Sequence, residues 1–259
     1  MKYNRMKLFT LLILPFVSPF ALHAQQKINA SEILRQAELK RMPWAQMSVC
    51  ATLIDSNSTA RTSTSYRVFF NGNKALVEST EPSTQKGNLL LLQNHEMWFY
   101  IKSTAQPMKI TPLQRLSGSV SFVDIARLNW TIDYAIDSLE NVKIGSDKKA
   151  EAYLLHLHAL SPDISYRKIN LWVDRNNKRP VKADIYLSSE KLYKTILFTK
   201  YQTIAGKEIN TQIEFIDYFN KGRKSVITFS RIQLEKNLPD NYFIKEKLQE
   251  VCKTMSGMN

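Results

Sequence analysis

Residues 87–104 read G-N-L-L-L-L-Q-N-H-E-M-W-F-Y-I-K-S-T, and residues 107–130 read P-M-K-I-T-P-L-Q-R-L-S-G-S-V-S-F-V-D-I-A-R-L-N-W. The first part is two strands. An apolar run, Leu89 to Leu92, passes through Asn94, the residue best able to take turn dihedrals, into Met97–Ile101. The second part has a different character. Pro112 opens it, Gly118 sits among Ser117, Ser119 and Ser121, and only then does a helix-spaced apolar set follow: Phe122, Ile125, Ala126, Leu128. A Ser-rich loop running into a short helix is more than a sheet needs to turn around, and long loops are where function concentrates.

Outward from this stretch the chain is mostly strand. Asn29 or Ser31 can cap an N-terminal helix with Ile33, Leu34 and Ala37 on one face, and Pro43 stops it. Alternation of apolar and polar residues then marks Tyr66–Phe70, Lys74–Ser79, Tyr153–Ala159, Ile169–Val173, Val181–Leu187, Tyr193–Thr199, Gln212–Phe219 and Ser225–Ile232. Turn signals at Asn71-Gly72-Asn73, Asn176-Asn177, Ala205-Gly206 and Lys221-Gly222-Arg223 separate several of them. That makes about ten strands, joined too closely for parallel crossovers and therefore antiparallel.

Polar flanking residues tell the faces apart. Arg67 leaves Val68 and Phe70 together, His156 and His158 leave Leu155 and Leu157, and Lys182 and Asp184 leave Val181, Ala183 and Ile185. Glu96 and Lys102 send Met97, Phe99 and Ile101 inward, which puts Trp98 and Tyr100 on a face that is costly if wet. An apolar sheet face must be covered, and two helices are too few to fill the concavity. The expected fold is mainly β: an antiparallel incomplete (half) β-barrel with an N-terminal helix and a short helical lid over an apolar cavity.

Lys2, Arg5 and Lys7 precede an apolar stretch, Leu8 to Leu22, interrupted by Pro15 and Pro19, with the small Ala24 at its end. Residues 1–24 are expected to be a cleaved signal peptide, followed by a single domain over 25–259. The run is too broken for the roughly 20 apolar residues of a membrane span. No cysteine follows it, so no lipid anchor of the chain's own is expected. Export to an oxidising compartment leaves two readings of the cysteines. Cys50 and Cys252 either close a loop of about 200 residues or stay as separate buried thiols. Losing Lys2, Arg5 and Lys7 lowers the formal net charge from +13 by three, to about +10. The lysines are scattered singly, and export argues against nucleic acid. Transient contact with an anionic membrane surface fits such a charge, as does a solvated surface.

Catalytic constellations are sparse. His156 and His158 share a strand face, but no third ligand is evident, so neither a metal site nor a cofactor is expected. Ser117-Gly118-Ser119 lacks the G-x-S-x-G of a nucleophile turn and reads better as a hinge. Asp133, Asp137 and Glu140 have the spacing of a loop or helical face. There is no phosphate-binding or dinucleotide glycine pattern, with seven glycines in all.

The order of pieces resembles the LolA-like periplasmic family that sorts outer-membrane lipoproteins. The resemblance lies in M-W-F-Y at 97–100, K-I-T-P-L-Q-R-L-S-G-S at 109–119, V-D-I-A-R-L-N-W at 123–130, L-W-V-D-R-N-N-K-R-P-V-K-A-D at 171–184 and N-L-P-D-N-Y-F-I-K at 237–245. It implies the same half-barrel, and a non-enzymatic, monomeric carrier in the periplasm. Such a carrier holds acyl chains of lipoproteins or other envelope lipids, between an inner-membrane exporter and an outer-membrane acceptor. The alternative is a lipid- or partner-sensing accessory module of an envelope transporter or stress-signalling complex. On the carrier reading the cavity wall is Val68, Phe70, Met97, Phe99, Leu155 and Leu157. The lid is Leu116, Phe122, Ile125 and Leu128, with Gly118 as its hinge. Ordinary core packing is the competing role for each.

Overall fold

A computed structural model describes residues 29–56, 60–93, 95–111, 113–126, 129–145, 149–219 and 223–257. Helix α1 (Ala30–Leu39) starts where Asn29 accepts a hydrogen bond from the Glu32 N–H, 3.1 Å, so Asn29 is the cap. Its buried face is Ile33, Leu34, Ala37 and Glu38.

The chain then makes a meander of β1 (Gln46–Ser56), β2 (Arg61–Asn71), β3 (Lys74–Glu81), β4 (Leu89–Gln93), β5 (Glu96–Ile101) and β6 (Gln106–Ile110). It leaves the sheet through a small hairpin, β7 (Arg115–Ser117) and β8 (Val120–Ser121), and two short helices, α2 (Phe122–Ala126) and α3 (Trp130–Asp133). It re-enters as β9 (Tyr134–Ile144) and meanders back through β10 (Ala150–Ala159), β11 (Lys168–Asp174), β12 (Pro180–Tyr186), β13 (Leu192–Ile204), β14 (Lys207–Asp217) and β15 (Lys224–Leu234). Helix α4 (Leu248–Gly257) ends the described chain.

Among the described residues one sheet holds thirteen strands, in the order β6-β5-β4-β3-β2-β1-β15-β14-β13-β12-β11-β10-β9. Every pairing is antiparallel, and β6 and β9 are unpaired edges, so the sheet is not a closed barrel. It nevertheless rolls. β5 and β9 are eleven strand spacings apart, roughly 50 Å if flat at ~4.8 Å each. Yet Met97 of β5 and Tyr134 of β9 line one cavity, and His95 Nε2 lies 3.7 Å from Asp133 Oδ1. Register shifts at Ser48/Cys50, His156/Leu157, Trp172/Val173 and Phe198/Lys200 mark the bulges that add bend.

The inner face is one continuous apolar cluster. Met47, Val49, Ala51 and Leu53 of β1, Tyr66, Val68 and Phe70 of β2, Leu155 and Leu157 of β10, and Ile169, Leu171 and Val173 of β11 share it with α1, α2 and α3. Among the described residues, the outer face carries its apolar cluster over β2–β5. There Phe69, Leu76, Leu89, Leu91 and Tyr100 pack beneath Tyr242, Phe243, Leu248, Val251, Cys252 and Met255. This accounts for Trp98 and Tyr100: both point outward, but under the C-terminal segment, with Lys245 Nζ 4.1 Å from the Trp98 ring centroid.

Several sequence expectations change. Among the described residues the main sheet has thirteen strands where about ten were expected: β6 and β9 carry too many polar residues to show clean alternation, whereas β1 does alternate, with Met47, Val49, Ala51 and Leu53 on one face. Asp137 and Glu140 lie on β9, an edge strand, and not on a loop or helix; an edge tolerates charge on its open side. Val181 is half-buried and Pro180 takes the buried place, because the β11–β12 bulge shifts the register from Trp172↔Lys182 to Val173↔Pro180. The single helix expected near 121–129 is two helices. Helix α4 was not expected, although Leu248, Val251, Cys252 and Met255 have helical spacing. The signal peptide, Asn94, Pro112, Leu128 and the Lys221-Gly222 turn lie outside the described residues.

The cysteines are not bonded. Cys50 on β1 stands between Arg67 of β2 and Ser230 of β15, whereas Cys252 is buried over the outer face of β3–β5, its thiol donating to the Gly87 carbonyl at 3.3 Å. With β2 between them, the two side chains are held apart. Thiol titration of the unreduced protein, unfolded in denaturant, should find both thiols reactive.

An ionic cluster fastens α1 to the sheet. Glu208 on β14 accepts from Arg179 and lies 3.0 Å from Lys40. The Arg179 hydrogen bond holds the Glu208 carboxyl at about 2, below its ordinary 4.5, against the opposing pull of burial. A depressed carboxylate stabilises the fold above its unfolded pKa and loses that contribution as pH falls toward its folded one. Glu208→Gln should therefore destabilise fully above about pH 4.5, and its deficit should shrink toward zero near pH 2 in parallel denaturation curves.

Candidate functional site: the inner cup and its cover

The cover comes from the crossing segment between β6 and β9. Leu116, Phe122, Val123 and Ile125 all meet the inner cluster, and the Phe122 ring sits 5.7 Å from that of Phe99. Trp130 of α3 is fully buried, edge-on to Phe198 at 5.8 Å, with the Arg41 guanidinium 4.2 Å from its ring centroid. Glu38 of α1 accepts from the backbone N–H groups of Trp130 and Thr131, both at 3.0 Å, and from the Thr131 hydroxyl. A carboxylate there satisfies the free donors of the first turn of α3.

Two buried polar clusters hold the segment between them. In the first, Gly118 has φ 58° and is buried so tightly that a Cβ would lie 2.0 Å from Asp55 Oδ1. Next to it the Ser119 N–H donates to Ser225 Oγ at 2.9 Å, Ser225 Oγ donates to Asp55 Oδ1 at 2.6 Å, and Arg223 donates to Asp55 Oδ2 from Nε and Nη2 at 2.8 and 2.6 Å. In the second, Lys194 of β13 donates to Asp124 Oδ2 at 2.6 Å, to the Ser119 carbonyl at 3.1 Å and to Ser121 Oγ at 3.3 Å. Both side chains of the Lys194–Asp124 pair are 1% exposed. The Ser121 N–H donates to Asp124 Oδ2 at 2.7 Å, and the Tyr166 hydroxyl to Asp124 Oδ1 at 2.9 Å. Burial first, and then the Asp124 charge, push the Tyr166 phenol far above its ordinary range, so it stays a donor.

Between sheet and cover three small spaces remain. One of about 40 Å³ is lined by Phe70, Met47, Val49, Ile213 and Ile125; one of about 60 Å³ by Leu92, Met97, Val123 and Tyr134. The largest, about 220 Å³, is lined by Tyr66, Val77, Leu90, Phe99, Leu116 and Phe122. Each has sheet on one side and the crossing segment on the other. Phe70, Met97 and Phe99 are therefore brought to these spaces, as are Leu116, Phe122 and Ile125. Val68, Leu155 and Leu157 are buried in the same cluster but line none of the three.

Gly118 is glycine because of a close approach to Asp55, a requirement that a sequence reading of loop flexibility does not contain. Asp55, Glu38, Asp124, Tyr166 and Lys194 were not picked out from sequence either. One signal was available: Lys194 occupies the inward register of Ile196 and Phe198, where a lysine is out of place unless paired.

The histidine pair is divided between acids on the neighbouring strand. His156 Nε2 is 3.3 Å from Glu140, and His158 Nδ1 is 2.5 Å from Asp137. No group of three or more metal-binding side chains occurs among the described residues, and no described helix is long and apolar enough to cross a membrane.

Fold and site together define an open antiparallel sheet rolled around an apolar interior, which the chain's own edge-to-edge segment fills. Solved structures share this arrangement. A LolA superfamily protein from Nitrosomonas europaea is 32% identical, with a TM-score of 0.78 over 85% of this chain and 99% of its own. A domain assigned to outer-membrane lipoprotein sorting from Vibrio parahaemolyticus (17% identity, TM-score 0.72, 85% and 97% covered) has the same fold. So has a DUF1329 family protein from Desulfovibrio piger (20%, 0.70, 85% and 97%). Residues 71–250 match a family described as an uncharacterized protein, and no curated protein matches in sequence. The chain belongs to the LolA superfamily. The buried ionisable groups at the cover pair with one another, Lys194 with Asp124 and Arg223 with Asp55.

Gly118→Ala should destabilise the protein by about 2–4 kcal/mol, combining positive-φ strain with displacement of Asp55. Gly206→Ala is the control: φ is 74°, but nothing lies within 4 Å of a Cβ there, so only about 1 kcal/mol is expected. Urea unfolding of both variants measures the difference.

Proposed function

We propose that this protein is a periplasmic carrier, a single LolA-like domain over residues 25–259 behind a cleaved signal peptide, which shelters acyl chains of a lipoprotein or another envelope lipid. The observation that carries this reading is that, among the described residues, three apolar-walled spaces over the inner face each meet the crossing segment, at Val123, at Asp124 and Ile125, and at Leu116 and Phe122. None is large enough for a chain while Phe122 and Ile125 occupy the cup. Displacing that segment would merge them into one apolar trough walled by Phe70, Met97 and Phe99, with Val68, Leu155 and Leu157 behind.

The energetics suit a carrier that must release what it binds. Burying an acyl chain contributes about 0.8 kcal/mol per methylene, while loading forfeits the contacts of Phe122, Val123 and Ile125 and breaks the Asp124–Lys194 cluster. Lid contacts and cargo contacts compete for the same surface, so net affinity stays moderate. Donor and acceptor are, on this reading, an inner-membrane exporter and an outer-membrane receptor, with the positive surface assisting membrane approach. The carrier acts as a monomer.

The test is a pair of curves on Ile125→Ala and Phe122→Ala. As lid residues, their truncation weakens docking of the cover. Displacement of a fluorescent fatty-acid probe should then show severalfold tighter binding, with a global stability loss below about 1 kcal/mol. As plain core residues they would instead cost about 2–5 kcal/mol with unchanged probe affinity. That result would sink the lid.

A further inference from the structure

Lys194 is out of place in an apolar cup unless something negative meets it. Its register neighbours on the inner face are Ile196 and Phe198. Its ammonium lies 4.8 Å from the ring centroid of Tyr193, 5.5 Å from that of Tyr166 and 5.6 Å from that of Phe215. An ammonium has three donors, and all three go to one short segment: the Ser119 carbonyl, Ser121 Oγ and Asp124 Oδ2. The sheet gives it rings, and the cover gives it three hydrogen bonds and its counter-charge.

Moving the cover therefore strands a buried cation, which a low-dielectric interior does not tolerate unpaired. Neighbouring carboxylates are engaged elsewhere. Asp217, opposite Lys194 on β14, accepts from the Phe219 N–H at 2.8 Å and acts on Arg223. Asp184 accepts from the Thr195 hydroxyl at 2.5 Å and pairs with Lys182 at 2.8 Å, and Asp55 is taken by Arg223 and Ser225. Uncharged cargo would leave the ammonium without compensation, whereas an amphiphile with an anionic group would supply it.

We propose that Lys194 is the headgroup-binding residue of the cup: on loading, its ammonium takes the carboxylate or phosphate of an anionic amphiphile in the place that Asp124 Oδ2 holds in the closed form. This rests on the carrier reading and narrows the cargo to lipids with an oxyanion close to the acyl chain. The Tyr166 hydroxyl, which also donates to Asp124, is the second donor to that oxyanion. Asp124 is then a built-in competitor for the headgroup.

Displacement of a neutral fluorescent probe tests it, with palmitic acid, methyl palmitate, palmitoyl lysophosphatidic acid and inorganic phosphate as competitors. The wild type should bind the acid and the lysophosphatidic acid about tenfold or more tighter than the ester, and inorganic phosphate should displace nothing. Lys194→Met should bring the acid-to-ester ratio close to one. Asp124→Asn, which removes the competing charge, should raise acid affinity severalfold and leave the ester little changed; it decides the matter should Lys194→Met not fold. An acid-to-ester ratio near one in the wild type, or one that both variants leave unchanged, overturns the headgroup site while the carrier reading stands. Displacement by none of the lipids overturns the carrier reading itself, and this proposal with it. Phosphate binding that depends on Lys194 without any lipid preference would assign the site to the free anion and overturn the lipid.

Discussion

The chain must travel from one edge of its sheet to the other. Six strands are laid down as a meander ending at β6, and the seventh strand of the main sheet, β9, belongs at the far edge, with twelve strand spacings between them. Along a flat sheet, at about 3.3–3.6 Å per extended residue, residues 111–133 would spend roughly three quarters of their full extension merely to cross roughly 58 Å, which leaves little for the hairpin and two short helices they also form. They cross easily once the sheet is rolled and its edges approach. The roll that closes His95 upon Asp133 is thus coupled to the topology, and the segment that crosses is placed over the apolar inner face.

That segment is fastened by charge at points where the sheet supplies the partner. Ser225 of β15, itself held by Asp55 of β1, takes the Ser119 N–H, and Lys194 of β13 takes Asp124 and Ser121. Fully buried ion pairs contribute little net stability against well-packed apolar residues, but they are costly to break on one side only. Such a device fixes the position of the segment more than it adds stability. Apolar contacts of Phe122, Val123 and Ile125 set the strength of closure, and the polar contacts set its place. Further round the cup, Glu38 does the same for α3 from helix α1.

The outer surface follows a different logic. Where the strands carry apolar residues on both faces, as β4 does with Leu89 and Leu91 outward and Leu90 inward, a second cover is required. Helix α4 provides it with Leu248, Val251, Cys252 and Met255. Cys252 serves there as a small apolar residue, its thiol pushed up mainly by burial, which is inert behaviour and not that of a redox partner. Over β9–β11 the outer face carries His156, His158 and Asn170 with their carboxylate partners and needs no such cover.

Much of this was legible from residues alone. Alternation in Tyr66–Phe70, Tyr153–Ala159 and Ile169–Val173 fixes both strands and inward faces, because a period of two leaves only one way to bury the apolar set. The Ser/Gly run before Phe122 and Ile125 identifies the segment that departs from the sheet, and the Asn29 cap fixes the start of α1. Edge strands β6 and β9 were not legible, since an edge with one wet side does not need the alternation by which strands are recognised. The partners in the cup were not legible either. Lys194 and Asp124 are 70 residues apart, Asp55 and Ser225 are 170 apart, and nothing local in either stretch signals the other. Local pattern determined which residues face inward; only the rolled sheet decided which charges meet there, because a buried charge finds its partner through chain topology and not through its neighbours in sequence.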